Sequence, residues 1–229
     1  MFPCGGTNTI IMKISEKLKI NFWVLSNFQK VFYLSFYRWF ISRKDRVFFE
    51  GSLFLPGQMY MAERKALYDV VINEKPDYCF EIGTYTGGGS TYFLSKALRD
   101  NNKGKLITIE SDIGLYNKAV MRYSRFIKSN RRYVEFIHSN SPDVFFDFLN
   151  KNNCKIMLFL DGSNDSRETL DQYNFFLKYF KSGSIIALHD WNSAKTAQVQ
   201  PVIEQSHLWE KVVQLDQPAS IGFRIFKHK

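Results

Sequence analysis

Five short apolar runs in this chain close on polar side chains: YCFEIG on Glu81, KLITIES on Glu110, YVEFIHS on His138 and Ser139, KIMLFLDG on Asp161, and SIIALHD on His189 and Asp190. Directly behind the first run stands GTYTGGGS, followed by TYFLSKALRD. That order reads as a strand, a glycine turn and a helix with one apolar face. At such a turn, backbone N–H groups and the positive end of a helix face a ligand, and glycine leaves no side chain in the way. The order Gly83-Thr84-Tyr85-Thr86-Gly87 lacks the tight GxG of a dinucleotide turn. Glu110, at the end of the next run, can hold both hydroxyls of a ribose through one carboxylate. The turn and Glu110 together predict a nucleotide or adenosyl cofactor. His189 offers an imidazole whose ordinary pKa suits proton removal near neutrality. Neighbouring strand residues point to opposite faces, however, which separates His189 from Asp190.

The elements that would carry these groups alternate from residue 51 onward. Helical patterns in GQMYMAERKALYDVVINEK, STYFLSKALRD, LYNKAVMRYSRFIKS, DVFFDFLNK, SRETLDQYNFFLKYF and VQPVIEQS separate the apolar runs. Strands with helices between them predict an α/β fold: a mostly parallel seven-stranded sheet with helices on both faces. The closing runs KVVQLD and GFRIFK are joined only by QPASI, so they predict a hairpin and an antiparallel last strand. In such sheets ligands bind beyond the carboxyl ends of the strands, where the strand order reverses. Those ends are where the five polar groups stand.

The 229 residues suffice for one α/β domain with an appendage. A formal charge of +9 suits nucleic acid, an anionic membrane or an acidic acceptor without choosing among them. Cys4, Cys79 and Cys154 form no CxxC pair, which points to a reduced cytoplasmic protein without a zinc site. Residues 1–50 differ in character and are read as a separate aromatic and basic helical segment ahead of a domain spanning 51–229. Leu18, Phe22, Leu25, Phe28, Phe32, Phe36 and Phe40 recur at helical steps, while Lys30 and Arg38 disfavour a membrane span. That segment predicts either a helical cap, on the domain or across a homo-oligomer, or a helix over residues 14–46 lying on a membrane surface.

FEIGTYTGGGSTYFL and LITIESD together resemble the first two motifs of class I S-adenosylmethionine-dependent methyltransferases, in the catechol and caffeoyl-CoA O-methyltransferase branch. IMLFLDGSND and LKYFKSGSIIALHDW resemble the same branch and its bacterial macrocin-type relatives that methylate sugars. The resemblance covers residues 55–229 and implies a Rossmann-like methyltransferase fold. It implies that Glu81, Gly83, Thr84, Tyr85, Gly87, Gly89 and Ser90 surround the methionine part of the cofactor, together with Asp161. Glu110 would hold the ribose, and Ser139, Asn140 and Ser141 would lie near the adenine. In metal-dependent members magnesium binds the acceptor oxygen, which makes Asp161 and Asp190 the candidate ligands here. Two departures stand out. The branch places Asn directly after the second Asp, where this chain has Trp191 and then Asn192; it places lysine or histidine three residues after the first, where this chain has Asn164. His189 is therefore the candidate base, with Asp161 the second candidate catalytic group. The implied function is O-methylation of a hydroxyl on a small molecule or saccharide, as in saccharide biosynthesis. The alternatives are a nucleic-acid methyltransferase, encouraged by RFIKSNRRY, and a cofactor-binding protein that has lost catalysis.

Overall fold

The computed structural model describes residues 59–140, 142–145, 149, 154–217 and 220–229. The aromatic helix expected within residues 1–50, the boundary at residue 51 and Ser141 lie outside the described residues. Seven strands form one sheet in the order β3-β2-β1-β4-β5-β7-β6. They are β1 (Tyr78–Ile82), β2 (Lys105–Glu110), β3 (Val134–His138), β4 (Ile156–Leu160), β5 (Ile185–Leu188), β6 (Trp209–Leu215) and β7 (Phe223–His228). The pairs among β1 to β5 are parallel, and β7 runs antiparallel to both β5 and β6. The expected fold class and the antiparallel last strand are thus present. The order reverses between β1 and β4, which places the crevice at the ends of those two strands.

Five α-helices lie among the described residues, α1 (Met61–Glu74) ahead of β1 and, between strands, α2 (Ser90–Asn101), α3 (Ile113–Arg125), α4 (Ser166–Leu177) and α5 (Val199–Glu204). Their starts are set by local chemistry. Asp112 caps α3 by accepting from Leu115 N at 2.8 Å. Asp165 caps α4 by accepting from Arg167 N and Glu168 N at 2.8 and 2.9 Å. At α1, the Glu63 carboxylate reaches back to Tyr60 N at 2.7 Å. The run DVFFDFLNK was expected to be helical; Asp143 to Phe145 lie in a 3-10 turn over Pro142–Phe145, and Leu149 is helical. Another 3-10 turn, Ala194–Thr196, follows β5.

Strand β4, IMLFL, is buried on both faces, as a central parallel strand must be. On one face Phe80 packs against Phe145 and Phe176, with centroids at 5.0 and 5.5 Å. Burying each such side chain contributes about 1.5 to 3 kcal/mol. The opposite face of β1 carries Cys79 and Glu81 toward α2, where Thr91 meets Glu81. Because side chains alternate along strands, Glu81, Thr108 and Phe159 share this face by register. Asp161 and His189 continue the same alternation past the ends of β4 and β5.

Candidate functional site

The turn after β1 begins with Gly83 at φ +99. Its N–H and that of Thr84 both donate to Ile109 O at 3.1 Å, so the turn is tied to the end of β2. A Cβ on Gly83 would stand 2.7 Å from Gly162 Cα, and one on Gly162 would stand 2.7 Å from Ile82 Cγ2. The two glycines let the ends of β1 and β4 close on each other at the switch point. Tyr85 and Gly87 also take left-handed angles, φ +52 and +72, and Arg122 from α3 donates to Thr86 O. Glu110 fixes the turn further: one carboxylate oxygen accepts from Tyr85 N at 2.7 Å and the other from Asp112 N at 3.0 Å. Ser139 N donates to Glu110 O at 3.0 Å. The ends of the first three strands therefore form one continuous rim.

Beneath this turn Glu81 is wholly buried. Its Oε2 accepts from Thr91 Oγ1 at 2.8 Å and Thr108 Oγ1 at 2.7 Å. Its Oε1 is buried and accepts no hydrogen bond. Burial pushes the carboxyl up to about 7, against the hydroxyls that favour its charge. A buried polar atom without a partner is uncommon in proteins. A ligand ammonium would satisfy it and return the carboxylate to its charged form.

A second group of charges lies at the ends of β4 and β5. His189 Nδ1 is 3.0 Å from Asp161 Oδ1 and 3.3 Å from Asp190 Oδ2, while its Nε2 is 3.2 Å from Glu63 Oε2. Lys195, from the 3-10 turn after β5, places Nζ 2.7 Å from Asp161 Oδ1 and 3.1 Å from Asp190 Oδ2. Glu63 also accepts from Ser220 Oγ in the loop between β6 and β7. Burial opposes the charge on His189, but its bonds to Asp161, Asp190 and Glu63 prevail and raise its pKa to about 12. Burial opposes ionisation of Asp190 too, yet His189 and Lys195 hold it down to about 2. Lys195 is likewise raised, because Asp161 and Asp190 outweigh its desolvation. The cluster is thus three carboxylates around two cations.

Residues 80–191 match the sequence family described as a methyltransferase domain. The fold agrees with solved structures. The O-methyltransferase TomG from Streptomyces achromogenes, involved in tomaymycin synthesis and solved with S-adenosylmethionine, is 16% identical with a TM-score of 0.60, over 81% of this chain and 86% of its own. The O-methyltransferase from Bacillus cereus, in complex with S-adenosylhomocysteine, is 17% identical with a TM-score of 0.61, over 96% and 97%. The methyltransferase PaMTH1 from Podospora anserina, bound to S-adenosylhomocysteine, is 13% identical with a TM-score of 0.57, over 100% and 98%. At these identities the likeness is one of fold. No curated protein matches the chain.

Within the matched region the structure brings Glu81, Gly83, Thr84, Tyr85 and Gly87 to one turn, with Gly89 and Ser90 opening α2 behind it. Glu110 and Ser139 flank that turn, and Asn140 is exposed beside them. His189, the expected base, has Asp161 and Asp190 at Nδ1 and Glu63 at Nε2. A base needs a free lone pair, and both ring nitrogens here face carboxylates that hold the imidazole as a cation. Asp161 and Asp190 converge as expected, and with His189 they offer three ligand atoms within 4.8 Å of one another. Yet magnesium prefers oxygen ligands, the histidine nitrogen faces the carboxylates themselves, and the Lys195 ammonium already lies between the two carboxylates. As arranged, these groups do not fit a resident magnesium ion.

Lys195 and Glu63 were not read from the sequence as functional. Lys195 follows the last motif by several residues in an unpatterned loop, and Glu63 looks like an ordinary surface residue of α1. The one available signal was the first-turn placement of Glu63, which marks a helix start. Asn164 is exposed, and Asn192 donates to Asp216 Oδ1 at 2.9 Å, so neither replaces the missing branch residues at Asp161. In the basic segment, Arg131 donates to Val134 O at 2.8 Å and Arg132 stacks over Tyr133, contacts within the chain itself. Among the described residues no helix is long and apolar enough to cross a membrane.

Proposed function

We propose that the protein is an S-adenosylmethionine-dependent O-methyltransferase acting on a hydroxyl of a small molecule or saccharide. The observation that carries this reading is the buried, unpartnered Oε1 of Glu81 beneath the Gly83–Gly87 turn. A ligand donor would complete it, and the amino group of the methionine moiety carries the positive charge that suits a buried carboxylate. Glu110, at the adjoining strand end, would take the ribose hydroxyls, with Ser139 and Asn140 on the adenine side. The saccharide part of the reading rests on the resemblance of His189-Asp190-Trp191 to the sugar-directed branch.

When bound, the cofactor supplies an electrophilic methyl group on a sulfonium. Transfer would form a C–O bond to the acceptor oxygen as the C–S bond breaks with its electron pair left on sulfur, and the hydroxyl would give up its proton. Positioning and proton removal are what the protein contributes. Asp161 is suited to both. Its Oδ1 is held by His189 and Lys195, whereas Oδ2 accepts no hydrogen bond from the described residues. The side chain is 22% exposed, so Oδ2 can take the hydroxyl hydrogen and pass it to solvent.

Calorimetry tests the cofactor first. S-adenosylmethionine and S-adenosylhomocysteine should bind the wild-type protein while NAD does not. Glu110→Ala should weaken both adenosyl ligands by about tenfold or more, the loss of a charged hydrogen-bond pair. A folded wild-type protein that binds neither adenosyl ligand would overturn the proposal.

A further inference from the structure

We infer that Lys195 is the cation of the acceptor site, occupying the place a divalent metal would take between Asp161 and Asp190, and that methyl transfer needs no metal. The geometry supports each part. The Lys195 ammonium touches both carboxylates, at 2.7 and 3.1 Å, which is the bridging role of a bound ion at these strand ends. An ammonium has three N–H donors. Two go to Asp161 and Asp190, and none of the described residues takes the third. That third N–H is the donor for the acceptor oxygen: it orients a lone pair toward the methyl group and stabilises the negative charge that grows as the proton leaves.

Glu63, Asp161 and Asp190 already face His189 and Lys195, so a divalent ion would have to expel the lysine. Lys195 is only 6% exposed and His189 3% exposed, which means no exchange with solvent occurs at a loose surface pair. The side chain is also positioned from behind. Thr196, its neighbour, donates to Trp191 O at 2.6 Å and locks the 3-10 turn onto the end of β5. Lys195 thereby supplies from the β5 loop the cation that the chain lacks at Asn164.

The metal part of the inference stands apart from the methyltransferase reading; only the contact with the acceptor oxygen rests on it. The test is binding of Mn2+, the paramagnetic stand-in for magnesium, followed by electron paramagnetic resonance on the full chain. Wild type should leave millimolar Mn2+ free, with or without S-adenosylhomocysteine. Lys195→Ala, or Lys195→Met if the shorter side chain impairs folding, should acquire one Mn2+ site at least about tenfold tighter, lost again on adding Asp161→Asn. Wild-type protein that binds one Mn2+ through Asp161 overturns the inference. So do folded Lys195 variants, checked by circular dichroism, that bind no more Mn2+ than wild type. Failure of the methyltransferase reading appears separately, as absence of adenosyl-ligand binding with the manganese result unchanged.

Discussion

Glu63 and His189 lie 126 residues apart in the chain and meet inside the protein, Oε2 to Nε2, at 3.2 Å. The contact joins the first turn of α1 to the end of β5. Glu63 also accepts from Tyr60 N and Ser220 Oγ, so one buried carboxylate ties together a helix start, a strand end and the β6–β7 loop. Glu63→Gln keeps the volume and removes the charge, leaving the His189 cation short of a partner. Urea unfolding should show a loss on the order of 3 kcal/mol. An unchanged midpoint would show that Glu63 does not hold His189 as an ion pair.

The same cluster sets a pH dependence of stability with a definite sign. His189 is raised from its ordinary 6.5 to about 12. Its contribution is fully present below 6.5 and is lost as pH rises toward 12. Asp190 is lowered from 3.8 to about 2, so its contribution is present above 3.8 and is lost as pH falls toward 2. Comparing wild type with His189→Gln by denaturation at a series of pH values isolates the first effect. The stability difference should be greatest in mildly acidic buffer and shrink steadily on the alkaline side. A difference that grows with pH would contradict the charged histidine.

Glu81 predicts a proton linked to cofactor binding. In the free protein its carboxyl stands at about 7, pushed there by burial. An ammonium placed against Oε1 favours the charged form, so adenosyl-ligand affinity should rise as pH increases through neutrality, with proton release. Calorimetry in buffers of different ionisation enthalpy would measure that proton directly. Glu81→Gln should bind more weakly and lose the pH slope. Binding by wild type that is indifferent to pH would remove the methionine-side role of Glu81.

Gly83 tests the close approach of β1 and β4. Alanine there would adopt a left-handed angle, and its Cβ would lie 2.7 Å from Gly162 Cα, a backbone atom that has little room to yield. Gly83→Ala should cost at least about 2 kcal/mol by strain and overpacking together. Thermal unfolding with and without S-adenosylhomocysteine checks it. Normal stability would mean that the strand ends can part without penalty.

Much of the fold was legible because it depends on local pattern. The runs YCFEI, KLITIE and IMLFL are too apolar to be anything but central strands, and the periodic segments between them specify helices. The hairpin at the end followed from a short polar link between two strand-like runs. In the run DVFFDFLNK the described residues are mixed: Asp143 to Phe145 lie in a tighter 3-10 turn begun at Pro142, and Leu149 is helical as its apolar spacing suggests. Of the site, the glycine turn and Glu110 were readable since backbone approach and a strand-end carboxylate leave a signature in a few consecutive residues.

The charged cluster left no such signature. Alternation along an ideal strand separates His189 from Asp190, yet Asp190 takes φ +53 and swings its carboxylate back to His189 Nδ1 at 3.3 Å. That angle is decided by the loop packed beyond it, where Trp191 N donates to Gly222 O at 2.7 Å. Sequence alone determined the sheet, the turn and which strand ends carry carboxylates, because hydrophobic period and glycine geometry act over a few residues. Only the tertiary structure decided that His189 is a held cation and that Lys195 lies between Asp161 and Asp190. Those charges come from different elements, and their protonation follows from distances and burial that no local pattern encodes.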